Sequence, residues 1–232
     1  SGKTTTLYAM LNEMDLETRN VITVEDPIEC MVPNTTQIEV NPKADITFAK
    51  SLRSILRQDP DVISVGEIRD KETAGTALQA AQTGHLVLAT VHSNSNASTL
   101  VRLLDLGVTP LLISEGLEAL ISQRLVRRLC RECKQPAKLS QQQINRFRKK
   151  RIDSSNIYDA VGCPACNETG YLGRIAIMDI LFLDEKKKEA IAKGKVSFSK
   201  LRKEGDRQGH ATLKKQAMKA VLSGATSISE VT

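Results

Sequence analysis

Three groups of residues have the types and spacing of reacting or ligating sites. The first is Ser1-Gly2-Lys3-Thr4, which matches the end of G-x-x-x-x-G-K-[ST]; the first glycine of that pattern would lie before Ser1. Glycine lets backbone N–H groups close on phosphates, lysine reaches the β/γ oxygens, and the Thr4 hydroxyl suits Mg²⁺. A helix read over Thr4 to Met14 would turn its positive N-terminus toward the same anion. The second group is acidic and imidazole chemistry beside short β-branched runs: Glu25-Asp26-Pro27-Ile28-Glu29, Gly66-Glu67-Ile68-Arg69-Asp70, and His85 and His92 bracketing Leu86 to Val91. A carboxylate just past a buried strand, next to a phosphate loop, can hold Mg²⁺ or orient an attacking water. The third is Cys130-x-x-Cys133 with Cys163-x-x-Cys166, two thiolate pairs with the spacing of a closed tetrahedral Zn²⁺ site. Cys30 stands apart and reads as a packing residue.

These residues need elements to place them. Val21 to Val24, Val62 to Val65 and Leu86 to Val91 read as buried strands. Thr4 to Met14, Phe48 to Arg57 and Glu72 to Gln82 read as helices, the last closed by Gly84. Alternating helix and buried strand predicts an α/β fold with a mostly parallel sheet, whose ligands collect at the strands' C-terminal ends. Beyond Pro110 the pattern changes. We read a helix from about Leu111 to Leu129, a polar, basic helical insert from Ser140 to Arg151, and a strand from Ile175 to Leu181. Helices follow over Glu185 to Lys193 and Ala211 to Leu222. This divides the chain into a phosphate-loop core (1–125), a four-cysteine zinc module (126–175) and a mainly helical C-terminal region (176–232).

Composition narrows the function. Of 232 residues, 41% are hydrophobic, enough for a packed core, and no apolar run approaches the ~20 residues of a membrane helix. The chain opens without an initiator Met or an apolar leader, which reads as a fragment of a cytosolic protein. The net charge is +6, but residues 124–151 alone carry +10, so the remainder is mildly acidic. A local patch with only four Phe and three Tyr in the chain speaks against a nucleic-acid platform. The patch reads either as a solvated helix face or as a docking surface for an acidic partner or anionic lipid.

Longer segments carry a family resemblance. Glu25 to Glu29 resembles the aspartate box, Arg57-Gln58-Asp59-Pro60-Asp61 through Asp70 the Walker B segment, and Thr83-Gly84-His85 through His92 the histidine box of the type II secretion and type IV pilus assembly ATPases. The four cysteines resemble the zinc module of that family's extension-type members. The resemblance spans essentially the whole chain. It implies a RecA-like P-loop core that binds ATP and Mg²⁺, with Glu25 as the water-polarising base and Glu67 as the acid near Mg²⁺. His92, and with less support His85, would face the γ-phosphate. Arg69, together with Arg53 and Arg57, would make phosphate or inter-subunit contacts. It further implies a homo-oligomer, six being the family expectation, which works on an inner-membrane platform protein from the cytoplasmic side. An incomplete phosphate loop implies weak turnover by residues 1–232 alone. The competing readings are a nucleic-acid-dependent ATPase, with the knuckle and patch gripping DNA, and a non-enzymatic zinc-stabilised interaction module. The latter leaves Lys3, Glu25 and Glu67 unexplained.

Overall fold

A computed structural model of the chain describes residues 2–149, 151–194 and 212–231. Ser1, Lys150 and the first residue of the helix expected from Ala211 lie outside them. The described chain divides into two compact units, residues 2–121 with 180–194, and residues 122–179 with 212–231.

The first unit is built on a four-stranded parallel sheet. Its strands are β1 (Val21–Glu25), β2 (Thr36–Glu39), β3 (Val62–Ile68) and β4 (Leu86–Val91), in the order β2-β1-β3-β4. Helix α1 (Lys3–Asn12) precedes β1, α2 (Phe48–Ile55) lies between β2 and β3, and α3 (Lys71–Gln82) links β3 to β4. Every residue of β1 is buried, as are Val62 to Val65 of β3. This is why both read as unbroken β-branched runs rather than as alternating patterns. Helix α2 presents Phe48, Leu52 and Ile55 to the core, against Ile22, Val24, Ile63 and Val65. Each such side chain contributes roughly 1.5–3 kcal/mol by leaving water. The Thr47 hydroxyl caps α2 and Asp70 caps α3, accepting the Thr73 N–H at 2.8 Å. Asp70, the last acid of the Walker B-like segment, thus serves a helix terminus. Helix α4 (Asn96–Asp105), closed by a Ser95/Ser98 capping box, and α5 (Pro110–Gly116) complete the unit with α7 (Glu185–Ala192). Neither β2 nor α4 was anticipated from sequence.

The helix expected over Leu111 to Leu129 is a correction. Only α5 is helical, and Ala119–Leu129 is strand β5. Leu120, Ser122, Val126 and Leu129 are its buried residues, while Ile121 faces solvent. Straight-chain leucines and arginines favour a helix locally, but β5 pairs with β8 (Tyr171–Phe182), and that tertiary pairing overrides propensity.

In the second unit, β6 (Gln135–Pro136) and β7 (Tyr158–Asp159) pair antiparallel and close the insert that holds α6 (Gln141–Lys149). Phe147 of α6 is buried with Ile157 and Val221, and Leu139 and Ile152 pack alongside, so the basic insert is anchored on a small apolar cluster. Helix α8 (Leu213–Leu222) packs Ala217 against Val126 and Ile177, and Val231 of α9 (Ile228–Val231) packs alongside. Arg127 grips Glu230 through Nε (2.9 Å) and a second guanidinium nitrogen (2.7 Å), and it lies over the Tyr171 ring. Lys134 donates to the Gly224 carbonyl at 3.1 Å over the Tyr158 ring. Part of the basic stretch is therefore structural. No helix among the described residues is long and apolar enough to cross a membrane.

Candidate functional site

Parallel strands bring their C-terminal ends to one edge, and the sheet does this for Glu25 of β1, Glu67 of β3 and His92 just past β4. The same edge receives the first turn of α1. A cleft there is lined by Lys3, Thr4, Tyr8, Glu25, Glu67 and His92, with Asp26, Ser64, Gly66, Arg69 and Thr90 around them. Its volume is about 150 Å³. Sites for whole small molecules start at roughly 300 Å³, so this cleft suits a phosphate-sized group with its waters.

Glu25 is the buried acid, at 5% exposure. Thr23 Oγ1 donates to its Oε1 at 2.6 Å and Gln37 Nε2 donates to the same oxygen at 2.9 Å. The Tyr8 hydroxyl donates to Oε2. The register explains the grouping: Thr23 and Glu25 are two apart on one face of β1, and Gln37 is the β2 partner of Thr23. Burial, and then the bond to Glu25, push the Tyr8 phenol above its ordinary range.

Glu67 anchors a second chain of contacts toward the mouth. His92 Nε2 lies 2.8 Å from its Oε1, and Arg69 Nε donates to its Oε2 at 2.7 Å. Arg69 also reaches Asp26 at 3.3 Å. The bond to Glu67 is the main reason the Arg69 guanidinium holds its proton more firmly than usual. Glu67 has a sheltered side chain (15% exposed), whereas His92 is 74% exposed. The acid is fixed, and the imidazole stands where an incoming anion would meet it. The Thr90 hydroxyl donates to the Gly66 carbonyl at 2.5 Å and ties β4 to β3 at this edge. Asp26-Pro27, which leaves β1 beside the cleft, is a cis peptide.

Several expected residues fall elsewhere. Ser1 lies outside the described residues, and Gly2 caps α1 with φ +74° just outside the cleft lining. His85 is at the opposite end of β4, its Nδ1 2.9 Å from the Ala80 carbonyl and 3.0 Å from the Thr83 hydroxyl. A strand has two ends, and only His92 follows the one that faces the cleft. Arg53 is paired with Glu72, and Arg57 lies beside Ser54; neither lines the cleft. Cys30 is exposed rather than packed, because its loop is held by backbone and polar contacts. Tyr8, Thr23 and Gln37 were missed. Tyr8 had a readable signal, four residues beyond Thr4 and so on the same helix face. Thr23 had one too, as the i−2 neighbour of Glu25 on a strand. Gln37 had none without the register.

The four paired cysteines converge, with all Sγ atoms within 4.8 Å of one another. Cys130–Cys163, Cys133–Cys166 and Cys163–Cys166 are 3.9, 3.8 and 3.7 Å apart. A tetrahedral ion about 2.3 Å from each sulfur needs about 3.8 Å between sulfurs, so the set fits Zn²⁺. Backbone N–H groups of Cys163 and Gly170 donate to the Cys166 Sγ at 3.3 and 3.2 Å. Against the opposing effect of burial, donors of this kind lower the Cys166 thiol to about 7, favouring the thiolate a metal requires. Burial, reinforced by its contact with Cys166, pushes Cys163 up to about 12.

The family described as "Type II/IV secretion system protein" matches residues 1–232. The type II secretion system ATPase E of Vibrio cholerae is 50% identical over 191 residues, 82% of this chain and 38% of that protein. The type IV pilus assembly ATPase PilB of Thermus thermophilus is 42% identical over 233 residues, all of this chain and 26% of that protein. The chain thus spans less than half the length of these relatives. A crystal structure of the pilus retraction motor PilT with bound ADP superposes with a TM-score of 0.69 at 28% identity, over all of this chain and 57% of that one. Sequence and fold agree, and the chain belongs to the type II/IV secretion system protein family.

Proposed function

We propose that this chain is the ATP-hydrolysing core of a motor that powers type II protein secretion or type IV pilus assembly. One observation carries the reading: Lys3, Thr4, Glu25, Glu67 and His92 share a single phosphate-sized cleft at the C-terminal edge of a parallel sheet. The named activities of the relatives, and the ADP bound to PilT, support ATP as the substrate.

In this reading Lys3 and the N-terminus of α1 hold the β/γ-phosphates, and the Thr4 hydroxyl and Glu67 hold Mg²⁺. Mg²⁺, when bound, spreads the charge that develops on the transferring phosphoryl group. Glu25 orients the attacking water and accepts its proton. Burial beside the cleft suits it to this role better than the more exposed Asp26 or Glu29. His92 and Arg69 stand at the mouth and respond to the γ-phosphate end. Because the cleft matches a phosphate rather than a whole nucleotide, the base and ribose rest on other parts of the protein or assembly. The chain works as a homo-oligomer, six subunits being the family expectation, at an inner-membrane platform on the cytoplasmic side. Zn²⁺ is held by Cys130, Cys133, Cys163 and Cys166 in a structural role, because four thiolates leave no open position. In functional terms the phosphate-loop core is centred on residues 1–125 and the zinc module on 126–175, while the C-terminal region is shared: residues 180–194 pack with the first unit and 212–231 with the second.

The deciding experiment is an ATPase assay of the full-length protein against Glu67→Gln. Turnover falls by about 100-fold if Glu67 serves the metal. Wild-type turnover in that variant removes Glu67 from the mechanism.

A further inference from the structure

A carboxylate offers about four acceptor positions. On Glu25, three are taken from inside the protein: Thr23 and Gln37 on Oε1, and Tyr8 on Oε2. Thr23 and Gln37 come from one face of one sheet, so they fix the carboxylate relative to the sheet alone. Tyr8 differs. It sits on α1, one turn beyond Thr4, and its oxygen accepts the N–H groups of Glu29 (3.2 Å) and Cys30 (3.3 Å). Two donors aimed at that oxygen leave its own hydrogen one direction, toward Glu25.

We propose that Tyr8 is a positioning residue for hydrolysis, holding the Glu25 carboxylate so that a single acceptor position faces the cleft. Through one hydroxyl it registers three parts against each other: the helix that carries Lys3 and Thr4, the acid, and the loop from Asp26 to Met31. The raised phenol pKa keeps Tyr8 a donor throughout the neutral range. This inference rests on Glu25 being the water-orienting base. It deepens that reading by saying what aims the base, and it predicts an effect on the chemical step rather than on nucleotide affinity.

The test is a double-mutant cycle in the full-length protein with Tyr8→Phe, Glu25→Gln and the pair, reading kcat and KM for ATP. Binding of a fluorescent ATP analogue and the Tm report that each variant is folded. Tyr8→Phe removes only the hydroxyl. It lowers kcat by about 10- to 100-fold, the cost of a misaimed reacting group, with KM changed by less than about threefold. Added to Glu25→Gln, it costs nothing further, because the group it positions no longer acts. Unchanged kcat in Tyr8→Phe, or a loss that multiplies that of Glu25→Gln, overturns the proposal. Wild-type turnover in Glu25→Gln is a different failure: it removes Glu25 as the base, and the role of Tyr8 goes with it.

Discussion

The strand-end cleft and the four-cysteine knuckle are both polar sites, yet they are held by opposite means. The cleft gathers residues from positions 3 to 92 and is fixed by a sheet whose central strands are dry on both faces. The cysteines come from two short turns, and their geometry is local: β6 pairs with β7 beside them, and Asn167, Glu168 and Gly170 take positive φ in the second turn. The first site is held by strand packing. The second sits on turns, with Cys130 and Cys166 buried and Cys133 and Cys163 only half-buried.

Chelation breaks the comparison most sharply. With Zn²⁺ held by the four thiolates as proposed, its removal withdraws on the order of 10 kcal/mol from local folding, so amide exchange should rise around the two cysteine turns while β1 and β3 stay protected. Equal loss of protection in both units would show that the cleft is not independent of the metal.

Glycines probe the same difference more gently. Gly170 has φ +74°, and a Cβ there would lie 2.6 Å from the Ala160 Cβ and 2.9 Å from the Val161 backbone nitrogen. Gly170→Ala should cost about 3 kcal/mol and weaken zinc retention, measured by denaturation and metal release. Gly66 has an ordinary φ, but a Cβ would approach the Val24 carbonyl at 3.1 Å and the Glu25 Cα at 3.3 Å. Gly66→Ala should cost about 1–2 kcal/mol and reduce turnover beyond what its stability loss explains, because it moves the strand bearing Glu25.

The smallest effect concerns acid. Hydrogen bonding to Arg127 holds the Glu230 carboxyl below its ordinary 4.5. A depressed folded value means that the stabilisation is present above the ordinary carboxylate range and is lost as pH falls through the lowered value. The Tm of the unit containing β5 and α9 should therefore decline below about pH 4.5. Glu230→Gln should flatten that decline.

Much of this was legible in the chain, for reasons that differ by site. Cys130, Cys133, Cys163 and Cys166 were readable because chelation by near neighbours leaves a fixed spacing. Glu25, Glu67 and His92 were readable because parallel strands must end on one side. What surrounds Glu25 was hidden: Gln37 reaches it only through the register of β1 with β2, and a four-residue edge strand leaves little pattern. Residues 119–129 were misread because leucine and arginine spell a helix until β8 is known to lie alongside. His85 was placed by its motif when strand polarity already set it at the far end.

One property of the sheet reaches beyond catalysis. Among the described residues β4 pairs on one side only, its side chains are only partly covered, and Leu86 is 42% exposed. Its outer margin presents a row of unpaired amides and carbonyls beside an apolar surface, a template for strand addition. The practical consequence is colloidal. Handled alone at high concentration, this chain should lose material to association along that margin well before it loses its fold.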